Sequence, residues 1–157
     1  MRTSRLYGFS LVILALLFAG CGAHKPRPLQ LGKDQCAYCS MVVSDPKFGA
    51  ELITTKGKIY PFDAIECLAA FVYTNKIPKD QIQSMWVVDF EDIEKFVPAE
   101  SAFYLHSPQI RSPMGMSLLA VSTEAQALRL QKQYDGEILQ WPQVVALVAE
   151  QWKLEQR

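Results

Sequence analysis

The chain has 157 residues, with 16 Lys and Arg against 16 Asp and Glu, half of its residues hydrophobic, and four cysteines. That length suits one domain, or two very small ones sharing a core. Balanced charge argues against a nucleic-acid binder, which concentrates Lys and Arg against phosphate, and 3 Trp, 6 Tyr and 8 Phe argue against global disorder.

The first element in chain order stands apart from the fold. Arg2 and Arg5 precede an apolar run from Phe9 to Ala19, broken only by Ser10, and Ala19-Gly20 then precede Cys21. Charge, apolar run and small residues in that order make a secretory signal, and the run is too short to span a bilayer comfortably. A cysteine directly after the small pair resembles a bacterial lipoprotein signal, although Phe18 stands where such signals usually carry Leu. The resemblance implies cleavage before Cys21, acylation of its thiol and an anchor on the periplasmic side. Gly22, in place of the Asp that retains lipoproteins at the inner membrane, favours the outer one. Removing twenty residues leaves 137 of the 157, and 14 basic side chains against 16 acidic once Arg2 and Arg5 are gone. Residues 21–33, with Lys25, Pro26, Arg27, Pro28 and Gly32, lack apolar periodicity and read as a lipidated tether. The folded domain is then 34–157, in two halves of about 34–84 and 85–157.

Within that domain, Gly49 to Pro61 is rich in strand formers around Thr54-Thr55-Lys56-Gly57, the pattern of a hairpin. Asp63 is placed to cap a helix from about Ala64 to Tyr73, which presents Ile65, Leu68, Ala69 and Val72 on one face and ends at Asn75, Lys76 and Pro78. Trp86 to Val88 and Ala102 to Leu105 read as buried strands, with an acidic loop at Glu91 to Glu94 between them. Leu118 to Val121 is a further strand. Thr123 with Gln126 forms a capping box for a helix from about Glu124 to Tyr134, closed by Asp135-Gly136. Glu137 to Gln140 is a short strand, and Pro142 opens a last helix through about Leu154.

Two stretches match at an offset of 79 residues. Gly57, Ile59, Phe62, Ile65, Leu68 and Ala70 align with Gly136, Ile138, Trp141, Val144, Leu147 and Ala149. Each reads as a turn glycine, a short strand, an aromatic residue and an amphipathic helix. The expected fold is α+β, built of two related strand-strand-helix (ββα-type) units that share one core, since each half is too small to bury its own.

Sulfur is concentrated in two places. Cys36-Ala37-Tyr38-Cys39-Ser40-Met41 puts two thiols and a thioether within six residues, and Pro113-Met114-Gly115-Met116 precedes the strand at Leu118. The remaining thiol, Cys67, lies beside Leu68 in the first predicted helix, where a packed core cysteine is the default. A zinc site calls for four Cys or His ligands, and no second pair is present, with His24 in the tether and His106 alone. A thioredoxin-like redox site needs the motif at a helix start, whereas Cys39 to Met41 leads into the strand-like Val42-Val43. In an oxidising compartment a structural disulfide is an alternative. A fourth use is Cu(I), a soft ion selected by thiolate and thioether sulfur. An extended Cys39-Ser40-Met41 segment would turn Cys39 and Met41 the same way.

The Cys-x-x-Cys-x-Met motif, the Phe62-Asp63-x-x-x-Cys67-Leu68 stretch and the later Pro113-Met114-Gly115 resemble the NosL family, copper-chaperone lipoproteins that assist maturation of nitrous oxide reductase. The resemblance covers about Cys36 to Val148. It implies two related ββα-type halves, a fold similar to that of organomercurial lyases, and Cu(I) delivery to nitrous oxide reductase with a membrane ABC-type system as partner. Carried onto this chain, it implies Cys39, Met41 and Met114 as first-rank ligands and Cys36, Met116 and Cys67 as second-rank ones. Ser40 departs from the glycine usual in the family motif. The expected protein is a metal carrier and not an enzyme, without nucleic-acid partners. The rivals are a thiol-disulfide oxidoreductase using Cys36 and Cys39, which has no use for Met41, and carbon–mercury cleavage by a thiol pair with Asp63. Adjacent His106 and Ser107 on a strand point to opposite faces, which speaks against a catalytic triad.

Overall fold

Strand formers on either side of the Thr54 to Gly57 turn pair as a hairpin of β1 (Ala50–Thr54) and β2 (Ile59–Phe62), in register from Ala50 opposite Phe62 to Ile53 opposite Ile59. Gly57 closes the turn at φ +79°, a conformation open to glycine without a Cβ clash. The structure is a computed structural model and describes residues 24–156; the signal and Cys21 lie outside them. After β2 the chain enters α1 (Ile65–Tyr73), then β3 (Ile82–Asp89) and β4 (Asp92–Pro98). These four strands form one antiparallel sheet in the order β2-β1-β3-β4.

β4 corrects the acidic loop expected at Glu91 to Glu94. Asp89 accepts a hydrogen bond from the Glu91 amide, the chain reverses there, and Asp92 onward returns along β3. β4 is an edge strand whose first four residues are exposed, so its charges stay in water while its backbone pairs. The Asp63 cap is also corrected. Ala64 occupies the N-cap of α1 without a side-chain bond, and Asp63 Oδ1 instead accepts from the Ser44 amide at 2.9 Å.

The second sheet has the order β6-β5-β7, from β5 (Phe103–His106), β6 (Leu118–Val121) and β7 (Glu137–Leu139), again antiparallel. Between β6 and β7 runs α2 (Glu124–Tyr134), with the expected capping box: the Thr123 hydroxyl accepts from the Gln126 amide, and Gln126 Oε1 accepts from the Thr123 amide. The chain ends on α3 (Trp141–Gln151), with Pro142 in its first turn. α3 stops three residues before the expected Leu154. Trp152 is its C-cap, and Lys153 follows at φ +50°.

The two stretches matched in sequence take the same local course: a left-handed glycine (Gly57 at φ +79°, Gly136 at φ +102°), a short strand (β2, β7) and a helix (α1, α3). β2 pairs with β1 and β7 with β5, but β2 follows β1 directly, whereas β6 and α2 intervene between β5 and β7. α1 and α3 pack against each other. The largest core cluster runs from Cys36 to Val148 and includes Leu52, Phe62, Leu68, Val87, Tyr104 and Val144. A smaller cluster, with Leu105, Leu119, Val121 and Leu130, lies under α2. The sheets are tied where they meet, by the Phe90 amide to Ala120 O and the Ser122 amide to Asp89.

Within the stretch read as a tether, residues 27–32 lie against the domain. Arg27 makes a two-pronged contact with Asp34 at 2.7 and 2.8 Å, its amide donates to Glu51, and the Gly32 amide donates to Val43 O.

Candidate metal centre

The Cys36 to Met41 segment is a tight turn laid over the start of α1. The Ser40 amide donates to Cys36 O, and the Cys36 amide donates to Met41 O at 2.7 Å, closing the turn on itself. The Ala37 amide donates to Pro61 O near the end of β2, and Tyr38 stacks on Trp152 beyond α3, with ring centroids 5.9 Å apart. The turn is thus held to β2 on one side and to the end of α3 on the other. Ser40 sits at φ +64°, so Cys39 to Met41 is not the extended segment expected, and Val42 makes a single isolated bridge, to Gln35. A left-handed serine costs about 1–2 kcal/mol. That cost is the physical meaning of the departure from glycine at this position.

Cys67 stands in the first turn of α1, immediately beneath this loop. The Sγ atoms of Cys36, Cys39 and Cys67 all lie within 4.8 Å of one another. All three cysteines are free thiols. A thiolate–metal bond of about 2.3 Å, the value for zinc, puts three ligands of one ion roughly 4 Å apart. The cluster therefore fits a metal ion with little movement. Three sulfurs without nitrogen or oxygen suit a soft ion.

The three thiols differ in character. Cys36 is held well below the ordinary thiol range, at about 5, foremost because the Cys67 thiol donates a hydrogen bond to it. The backbone amides of Cys39, Asp63 and Tyr38 also donate, against the opposing effect of burial. Cys67, as donor to Cys36 and fully buried, is pushed far up. Burial raises Cys39 as well, with the Met41 amide acting in the other direction. One thiolate shared among three sulfurs, stabilised by amide dipoles, is an electron-rich site prepared for a cation.

The sequence-predicted ligands separate into two groups. Cys36 and Cys67, ranked second, join Cys39 in the cluster. Met41 is 51% exposed beside the equally open Val42, at the outer edge of the turn. Met116 is a buried member of the main core cluster, and Met114 is half-buried against it. Cys67 is both the packed core cysteine expected by default and a member of the sulfur cluster. Among the other candidates, Ser107 is buried with its hydroxyl donating to Tyr134 O, and His106 ends β5. Asp63 contributes its amide to Cys36 and is buried, while its Oδ2 has no partner among the described residues.

Sequence reasoning missed Glu66. It is fully buried, and burial pushes its carboxyl up while the Ser112 hydroxyl, donating at 2.6 Å, pulls it down. Its signal was legible: a lone acid within the otherwise apolar run Ala64 to Ala70, next to Cys67.

Comparison with known proteins bears on the family and the fold. The sequence profile of the NosL family matches residues 28–148. The fold is similar to that in the crystal structure of the copper chaperone NosL from Shewanella denitrificans, with a TM-score of 0.65 and 18% identity, over 76% of this chain and 94% of that one. No curated protein matches the sequence. With a family match spanning most of its length and a fold to go with it, the chain belongs to the NosL family.

Proposed function

We propose that this protein is a Cu(I) chaperone, anchored by lipid at Cys21 on the periplasmic side, that delivers copper for assembly of the nitrous oxide reductase copper centre. Its partners in this reading are the reductase and its ABC-type maturation system, and Gly22 favours the outer membrane. The observation that carries the proposal is the cluster of three sulfurs within 4.8 Å in a member of the NosL family. Thiolate and thioether donors select Cu(I) over the hard ions, which prefer oxygen.

The exposure of the donors suits a carrier. Cys67 and Cys36 are buried, Cys39 is half-buried and Met41 is open to solvent. A ligand set graded from interior to surface lets an incoming acceptor displace the outer sulfur before the inner ones, so cargo leaves by ligand exchange and never as a free ion. Carrying needs no bond to be made or broken in a substrate, so we read the protein as a carrier and not an enzyme. The β1–β2 hairpin and the start of α1 are the frame that holds the turn in this reading.

Competition with a Cu(I) chelator tests the reading. Cys39→Ser and Met41→Leu are each expected to weaken Cu(I) binding by at least about tenfold, a single lost ligand being worth more than an ordinary hydrogen bond. Copper-edge X-ray absorption of the reduced protein should show sulfur-only coordination. Unchanged affinity in both variants, or a spectrum dominated by nitrogen and oxygen, overturns it. The lowered Cys36 favours one rival, thiol–disulfide exchange through Cys36 and Cys39. Met41→Leu separates the two, because exchange of disulfides does not involve the thioether.

A further inference from the structure

Glu66 is one of three fully buried acids, with Glu51 and Asp63, that keep a carboxylate oxygen without a partner among the described residues. It lies in the first turn of α1, it is completely buried, and its neighbours in sequence are Ile65 and Cys67. A carboxylate in such a place is costly unless its oxygens are satisfied. One oxygen is. Oε1 accepts from the Ser112 hydroxyl at 2.6 Å and from the Met116 amide at 3.2 Å, across 46 and 50 residues of chain. The other, Oε2, is buried without a partner among the described residues.

The segment that Glu66 grips is the methionine-bearing loop. Ser112 in turn organises the whole of it: its hydroxyl accepts from the Ser117 amide at 2.9 Å, and its carbonyl accepts from the Gly115 amide at 3.0 Å. Gly115 and Ser117 both take left-handed backbone, at φ +79° and +59°, so the loop adopts a course that a free chain would rarely hold. No β ladder runs through residues 112–117, since β6 begins only at Leu118. The loop bearing Met114 and Met116 thus has its polar tie to α1 in this carboxylate, beside the apolar packing of the two methionines in and against the main core cluster.

We propose that Glu66 is a positioning residue that clasps the 112–117 loop to α1, so that Met114 is held against the core cluster to which Cys36 and Cys67 belong, and that its thioether from there helps to retain Cu(I). This rests on the Cu(I) reading above for its purpose, but not for its geometry. A packed apolar residue would fill the same volume at lower cost in desolvation. What it lacks is an acceptor able to take a hydroxyl and an amide together. Glutamine retains one such acceptor and alanine does not, so the two substitutions separate clasping from charge.

The test has a metal-free arm and a metal arm. In the metal-free protein, Glu66→Ala is expected to speed hydrogen exchange at the Met116 and Ser117 amides by about tenfold or more, the effect of losing one or two buried hydrogen bonds. The Ser40 and Cys36 amides of the cysteine turn should keep their rates, and Glu66→Gln should keep the loop rates near those of the parent. Ser112→Ala, which removes the shared hydroxyl while leaving the α1 acid, should open the same two amides. In Cu(I) competition, Glu66→Ala and Met114→Leu should each weaken binding, and the double variant should be no worse than Met114→Leu alone. The proposal is overturned by unchanged exchange at Met116 and Ser117 in both Glu66→Ala and Ser112→Ala. Fully additive copper losses overturn it as well, as does equal loss in Glu66→Gln. If the parent protein itself binds no Cu(I), the functional reading falls, together with the purpose given to the clasp, while the exchange arm still decides whether the clasp exists.

Discussion

Cys36 owes its low proton affinity to donors gathered from three places: the Cys67 thiol on α1, the Tyr38 and Cys39 amides in its own turn, and the Asp63 amide at the β2–α1 junction. The Cys67 thiol is the largest of these. Replacing it with alanine removes a donor that the thiolate needs and the thiol does not, so the Cys36 titration should rise from about 5 toward the ordinary thiol range. The thiolate ultraviolet absorbance of the metal-free protein, followed against pH, checks this; an unmoved midpoint would show that the backbone amides alone set it. At this scale the sulfur residues were legible, but the gathering of three thiols at one place was not. The family resemblance placed Met41 and Met114 ahead of Cys36 and Cys67, and a motif does not report which thiols meet in space. Cys67, 28 positions beyond Cys39, reaches the site only because β2 returns along β1 and delivers the start of α1 beneath the turn.

Elements with their own local chemistry were the easiest to read. The helix expected from about Glu124 to Tyr134 forms there, because Thr123 and Gln126 satisfy each other's amides and Asp135-Gly136 leaves the helix through two positive-φ residues. Thr123→Ala should cost about 1 kcal/mol, the usual worth of such a cap. It should appear in urea denaturation as a lower midpoint at unchanged slope. β4 was harder, since Glu91-Asp92-Ile93-Glu94 carries three acids and no apolar alternation strong enough to announce a strand. Its pairing with β3 is what makes it one. Asp63 failed as a predicted cap for a related reason. A carboxylate satisfies whichever amide the tertiary fold brings to it, and here that is Ser44, 19 residues away.

Across the whole molecule, β1 is the strand on which everything rests. All five of its residues are buried, Ala50 and Leu52 within the core that holds α1 and α3. Glu51 alternates to the other face, where the chain from Arg27 to Gly32 lies over the sheet and the Arg27 amide reaches the carboxylate at 3.0 Å. Burial raises Glu51 to about 7. The folded state therefore holds a proton that the unfolded chain has already released above the ordinary glutamate range. The stability which that proton confers is complete at pH below about 4.5, and it is lost as pH rises through 7. Glu51→Gln should flatten that slope and be the more stable form above pH 7, as measured by urea denaturation at a series of pH values. A slope unchanged by the substitution would assign the pH dependence elsewhere.

Residue order by itself determined the hairpin, three helices, most strands and the presence of two sulfur-rich segments. Each of those depends on neighbours within one turn or one strand: an apolar run, a capping pair, a glycine able to take positive φ. Tertiary structure alone decided which sulfurs meet. It placed Cys67 with Cys36 and Cys39, left Met41 at the surface, and tied the methionine loop to α1 through Glu66. Contacts between residues tens of positions apart are set by how strands pair and helices pack, and no local pattern in the chain records the distance between two thiols.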